Sequence, residues 1–87
     1  MIHIDYDMII FKEGYSFVAY CPELDISSCG NCAEHAREML KTAIILFIEE
    51  AEKMGTLEKI LTESNFNKDD NGRFIPAKVI ATELVSI

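Results

Sequence analysis

The sequence predicts an α+β fold: a three-stranded antiparallel sheet covered by one long helix, then a short second helix and a C-terminal strand. Three observations point to it. Apolar and polar residues alternate from Ile2 to Ile10, an aromatic and branched run extends from Tyr15 to Cys21, and a long amphipathic stretch lies between Asn31 and Gly55.

In the first stretch Ile2, Ile4, Tyr6, Met8 and Ile10 fall on one side and His3, Asp5 and Asp7 on the other. This period of two belongs to a strand with one buried face. Glu13-Gly14 ends that strand, and the next run begins so soon that a β-hairpin is the economical connection. Pro22 closes the second strand, because it has no N–H for the ladder. A short third strand is expected over Ile26 to Cys29, before Gly30.

Asn31, with Glu34 three residues on, reads as an N-cap and capping box for a helix from about Cys32 to Met54, and Gly55 as its left-handed stop. At about 100° per residue, Ala36, Met39, Leu40, Ala43, Leu46, Phe47, Ala51 and Met54 share the stripe expected to lie on the sheet. Ile45 and Ile48 fall on the opposite side, among Arg37, Glu38, Lys41 and Glu52. Two explanations compete for them. Either Thr56 to Ser64 forms a second amphipathic helix whose Leu57, Ile60 and Leu61 fold back over them, or a partner chain covers them. Asn65 to Gly72 reads as a polar surface loop. Ala77 to Ile87 reads as a strand apolar on both faces, with Val79, Ala81, Val85 and Ile87 on one and Ile80 and Leu84 on the other. Such a strand belongs inside a sheet or across a subunit boundary. Ile45, Ile48, Val79, Ala81 and Val85 are therefore the expected oligomer-interface residues.

The 87 residues are 49% hydrophobic with only 2 prolines and 4 glycines, which predicts a single domain over 1–87. Fifteen acidic residues against 8 Lys plus Arg give a net charge of -7, which would repel a phosphate backbone, so direct nucleic-acid binding is not expected. No apolar run is long enough to span a bilayer, and the first residues lack the positive region of a secretory signal. A cytoplasmic protein is expected. Three cysteines without an export signal argue against a disulfide framework. A domain of this size buries only roughly 60–65% of its unfolded surface, and self-association as a homodimer or higher oligomer is expected.

The stretch Gly14-Tyr15 to Val18-Ala19-Tyr20-Cys21-Pro22-Glu23-Leu24-Asp25-Ile26, then Ser28 and Gly30, then an Ala-containing amphipathic helix, closely resembles the HicB-like antitoxin family. Met54 to Leu61 and a closing strand through Ala81-Thr82-Glu83 are similar to archaeal and cyanobacterial members. The resemblance implies a partial RNase H-like fold. It also implies a partner, a small basic mRNA-cleaving toxin of the HicA type, whose RNA-binding surface the acidic antitoxin would cover; no catalysis by the chain itself is implied. Many family members carry a C-terminal DNA-binding extension, and none is expected here. The candidate partner contacts are Tyr20, Pro22, Glu23 and Asp25, a motif at a loop, with Glu49, Glu50 and Glu52, which share the densest acidity with Asp69 and Asp70. The alternative is an orphan interaction or ligand-binding module without a toxin.

Cys29 and Cys32 stand where the family has glutamine and threonine, and form Cys29-Gly30-Asn31-Cys32 with His35 three residues on and Cys21 eight before. Cys21, Cys29, Cys32 and His35 could offer zinc three thiolates and an imidazole, an alternative to the expected absence of any cofactor or metal. The CGNC sequence at a helix start echoes the thioredoxin arrangement, but the parallel strand and the closing strand and helix that fold requires are missing. Metal-dependent nuclease chemistry would need carboxylates converging on one point. Asp5 and Asp7 on the strand and Glu34 and Glu38 on the helix are expected to project apart. Neither His3 nor His35 has a serine, aspartate or second histidine placed to make a base and nucleophile.

Overall fold

The structure is a computed structural model in which residues 2–87 are described. Its elements are β1 (Ile9–Glu13), β2 (Ser16–Cys21), β3 (Ile26–Gly30), α1 (Ala33–Met54), α2 (Leu57–Glu63), β4 (Asn67–Lys68) and β5 (Phe74–Ile75). The first three strands form an antiparallel meander in the order β1-β2-β3. Glu13 pairs with Ser16, leaving a two-residue loop whose first position, Gly14, has φ +60°. Hairpin turns of the II′ kind need a positive φ there, which glycine adopts without a Cβ penalty. The register Ile9↔Tyr20↔Ser27 and Phe11↔Val18↔Cys29 puts these side chains on one face, and Phe17, Ala19 and Cys21 on the other.

Helix α1 covers that second face, lying chiefly over β3 and β2 and touching β1 only at its margin. It approaches closely because small residues line the contact. Ala19, Cys21 and Ala36 are fully buried, and a Cβ on Gly30 would sit 2.6 Å from the Ala36 backbone nitrogen. Leu40 and Ile44 fill the middle of the core, each contributing about 1.5–3 kcal/mol relative to leaving the side chain in water. The helix starts one residue later than the sequence predicts. Cys32 is the N-cap, its Sγ accepting the His35 N–H at 3.4 Å, while Asn31 gives its own N–H to His35 Nδ1. The stop is as expected. Gly55 has φ +71°, its N–H reaches the Glu52 carbonyl, and the Thr56 N–H reaches Ala51, the paired bonds of a Schellman motif. Asn65, at φ +67°, closes α2 the same way, with its N–H on Thr62 and the Phe66 N–H on Leu61.

The buried stripe of α1 differs in phase from the expected one. It consists of Ala36, Leu40, Ile44, Ile48 and Ala51, whereas Met39, Leu46 and Met54 are exposed. Ile48, expected to need a partner, is only 5% exposed within its own chain. On that side Ile2, Ile4 and Tyr6 line a cavity with Ile44, Ile45 and Ile48 and pack, with Ile60 of α2, against the cluster that holds Ile48, Leu57 and Leu61. Residues 2–8 keep the expected alternation but join no sheet with β2. Instead they pair in parallel with β5: the Phe74 N–H bonds to the His3 carbonyl and the Asp5 N–H to the Phe74 carbonyl, with Arg73 on Asp5 at 2.8 Å. Leu57 and Leu61 of α2 enter the same core as expected.

Two further expectations are corrected. The loop over Asn65–Gly72 contains β4 and folds with β5 as a small hairpin, because Asp69 Oδ1 accepts the Asn71 and Arg73 N–H groups and organises the turn. Phe66 and Phe74 then anchor it in the core. The expected strand over Ala77–Ile87 does not form. Among the described residues no backbone hydrogen bond joins 77–87 to another segment, and Leu84 and Val85 are 99% and 76% exposed. Pro76 lacks the N–H that would extend β5, and a strand apolar on both faces needs cover on two sides, which its own chain does not supply.

Leu40→Ala is expected to cost about 2–5 kcal/mol through the cavity it leaves, and Gly30→Ala about 1–3 kcal/mol through overpacking against Ala36. Tyr15→Ala, at the fully exposed hairpin tip, should stay within about 0.5 kcal/mol. Urea unfolding of the three variants checks the order.

Candidate functional site

The β2–β3 turn, carrying Tyr20, Pro22, Glu23 and Asp25, is held by side chains rather than by backbone pairing. The Tyr20 hydroxyl donates to Asp25 Oδ1 at 2.9 Å, and Asp25 takes φ +54°, a left-handed conformation that aspartate tolerates better than most residues. Glu23 Oε1 accepts the Asp7 N–H at 3.1 Å and the Cys21 thiol at 3.4 Å, tying the turn to the N-terminal segment. Burial raises the Glu23 carboxyl above its ordinary value, and its side-chain contact with Asp7 adds to that. The bond to Asp25 raises the Tyr20 hydroxyl. Burial pushes the Cys21 thiol up to about 11, so it stays protonated at neutral pH. Cys21 and Glu23 therefore shape the turn, while Tyr20 and Asp25 are presented on it.

Glu49, Glu50 and Glu52 lie exposed on the C-terminal half of α1. Among the described residues the ion pairs are Arg37 with Glu34, Lys41 with Glu38, Lys68 with Glu58 and Arg73 with Asp5, so none of these three carboxylates is neutralised by a close cation. The helix starts beside Gly30 and its Ile44 and Ile48 meet Tyr6, whose neighbour Asp7 holds Glu23. The acidic half of the helix and the β2–β3 turn thus belong to the same end of the molecule.

The cysteines are not brought together. Cys21 faces the core, whereas Cys29 pairs with Val18 on the opposite face of the sheet. Cys32 is engaged as the helix cap and His35 Nδ1 as an acceptor for Asn31. Among the described residues no three His, Cys, Asp or Glu side chains are grouped to hold a metal ion. The carboxylates considered for nuclease chemistry are also apart: Asp5 is on Arg73, and Glu34 and Glu38 are on their own helix neighbours.

Of the expected oligomer residues, Ile48 is buried in its own core. Ile45 is partly exposed on an open, mostly apolar cavity of about 290 Å³ lined also by Ile2, Ile4, Tyr6 and Lys41. Val79, Ala81 and Val85 are exposed on the unpaired C-terminal segment. Sequence reasoning missed Ile9 and Phe11. Both sit on the sheet face that α1 leaves bare, beside the half-buried Val18 and Tyr20. The signal was present, because the alternation places Ile9 and Phe11 at outward positions where polar residues are the rule. No described helix is long and apolar enough to cross a membrane.

No family model matches the chain, and no curated protein or solved structure matches it either.

The thiols should divide by environment. At pH 7.5 a small disulfide reagent should titrate Cys29 and Cys32 rapidly in the folded protein and Cys21 only after denaturant is added. Three equally fast thiols would contradict the placement of Cys21.

Proposed function

We propose that this chain is a HicB-like antitoxin that binds a small basic mRNA-cleaving toxin of the HicA type and covers its RNA-binding surface. The observation that carries this reading is the unneutralised acidity of Glu49, Glu50 and Glu52 at the same end as the ordered Tyr20–Asp25 turn, in a chain of net charge -7. A surface evolved to hold RNA is basic, and an acidic domain is steered onto it. Charge complementarity sets the encounter rate, and the fit of the turn sets the lifetime. Neutralisation by cover requires no catalytic group and no cofactor from this chain.

Co-expression with a small basic protein encoded beside it tests the proposal. Growth arrested by that protein should resume when this chain is present, and the two should co-purify. Arrest that persists while this chain accumulates folded would overturn the reading and leave an orphan interaction module. In the purified pair, replacing Glu49, Glu50 and Glu52 by Gln together should slow association about tenfold at low salt, and the difference should shrink as salt screens it. Stopped-flow fluorescence measures both.

A further inference from the structure

The chain exposes much more surface than a folded monomer of its mass should. Its accessible area is 6462 Å² for 9.9 kDa, whereas size scaling gives roughly 5,200 Å². Its radius of gyration is 14.3 Å, against about 12 Å for a compact chain of this length. The excess of about 1,300 Å² is larger than the about 800 Å² that each partner contributes to a stable interface.

The excess coincides with apolar surface in two places. One is the segment 77–87, where Val79, Ile80, Leu84, Val85 and Ile87 are all exposed and no ladder bond is made. The other is the bare sheet face at β1, where Ile9 and Phe11 are 39% and 46% exposed and, among the described residues, the strand has a neighbour on one side only. A free edge with apolar side chains is a template for another strand. The opposite edge, β3, offers Ser27, Ser28 and Gly30 instead and is a poorer acceptor.

We infer that the C-terminal segment of one copy adds as a strand to the free edge of β1 in a second copy, reciprocally, forming an exchanged dimer. Eleven extended residues reach about 36 Å, enough to cover the five-residue edge and to continue across Ile9 and Phe11. Apolar residues on both faces of the segment match a strand with a neighbour's core on one side and its own chain on the other. The charge is right for self-association. The chain carries -7, yet the segment holds only Lys78 and Glu83, and β1 only Lys12 and Glu13, so each joined surface is neutral in its side chains.

Sedimentation of the purified chain alone, without any toxin, tests this inference separately from the proposed function. The wild type should be a dimer at micromolar concentration. Val85→Asp in the segment and Phe11→Asp on the acceptor should each sediment as folded monomers with unchanged circular dichroism. Mixing the two variants should restore a 1:1 dimer through the one intact segment–edge joint, weakened at least tenfold relative to wild type. A monomeric wild type would overturn the inference, as would dimers that survive both substitutions. Should either variant unfold, Val79→Asp and Ile9→Lys are read by the same criteria.

Discussion

Helix α1 is held against β2 and β3 through residues with almost no side chain. Ala19, Ala36 and Gly30 let the two layers approach until a single added carbon at position 30 would collide with backbone. That closeness fixes the rotation of the helix and so selects Leu40, Ile44 and Ile48 as the inward row. It also sets what the rest of the chain must do. A helix of 22 residues is about 33 Å long, roughly twice the length of the strands it lies on. Its C-terminal half overhangs the sheet, and the N-terminal segment, α2 and the β4–β5 hairpin are folded in to cover the overhang. The parallel contact of Phe74 with His3 and Asp5 ties these pieces together.

The surface then divides into two kinds. At one end lie carboxylates without close cations and a turn whose shape is fixed by the Tyr20–Asp25 and Glu23–Asp7 bonds. Along β1 and the C-terminal segment the side-chain charge cancels and apolar groups are bare. An acidic surface favours a basic partner, and a neutral apolar one favours another copy. One chain can therefore hold two contacts of different chemistry without one competing for the other's residues.

Much of this was legible in the sequence, for local reasons. Glu13-Gly14, Pro22 and Gly55 are punctuation that acts through φ or a missing N–H, so the ends of the first two strands and of the helix fall where they were expected, whereas the start of the first strand, Ile2 to Met8, is drawn away to β5. The phase of α1 was not legible, because Ile44, Ile45, Leu46, Phe47 and Ile48 form an unbroken apolar run in which periodicity has no unique answer; contact with Gly30 and with Ile2, Ile4 and Tyr6 decides it. The β4–β5 hairpin was hidden because its driving residues, Phe66 and Phe74, are isolated in a polar stretch. At the candidate site, the separation of Cys21 from Cys29 follows from strand parity across the register, which their spacing does not reveal. The C-terminal segment has the pattern of a strand, and that pattern describes a need for cover that its own chain does not meet.

The completeness of the fold in one chain is thus the central question, and amide hydrogen exchange as a function of protein concentration addresses it most directly. Protection of residues 77–87 and of β1 should rise together as concentration increases, while protection of α1 and β2 stays constant, because in the exchanged dimer the segment pairs with the edge of a second copy. Protection of 77–87 that is independent of concentration, or exchange at the unprotected rate at every concentration, would contradict it.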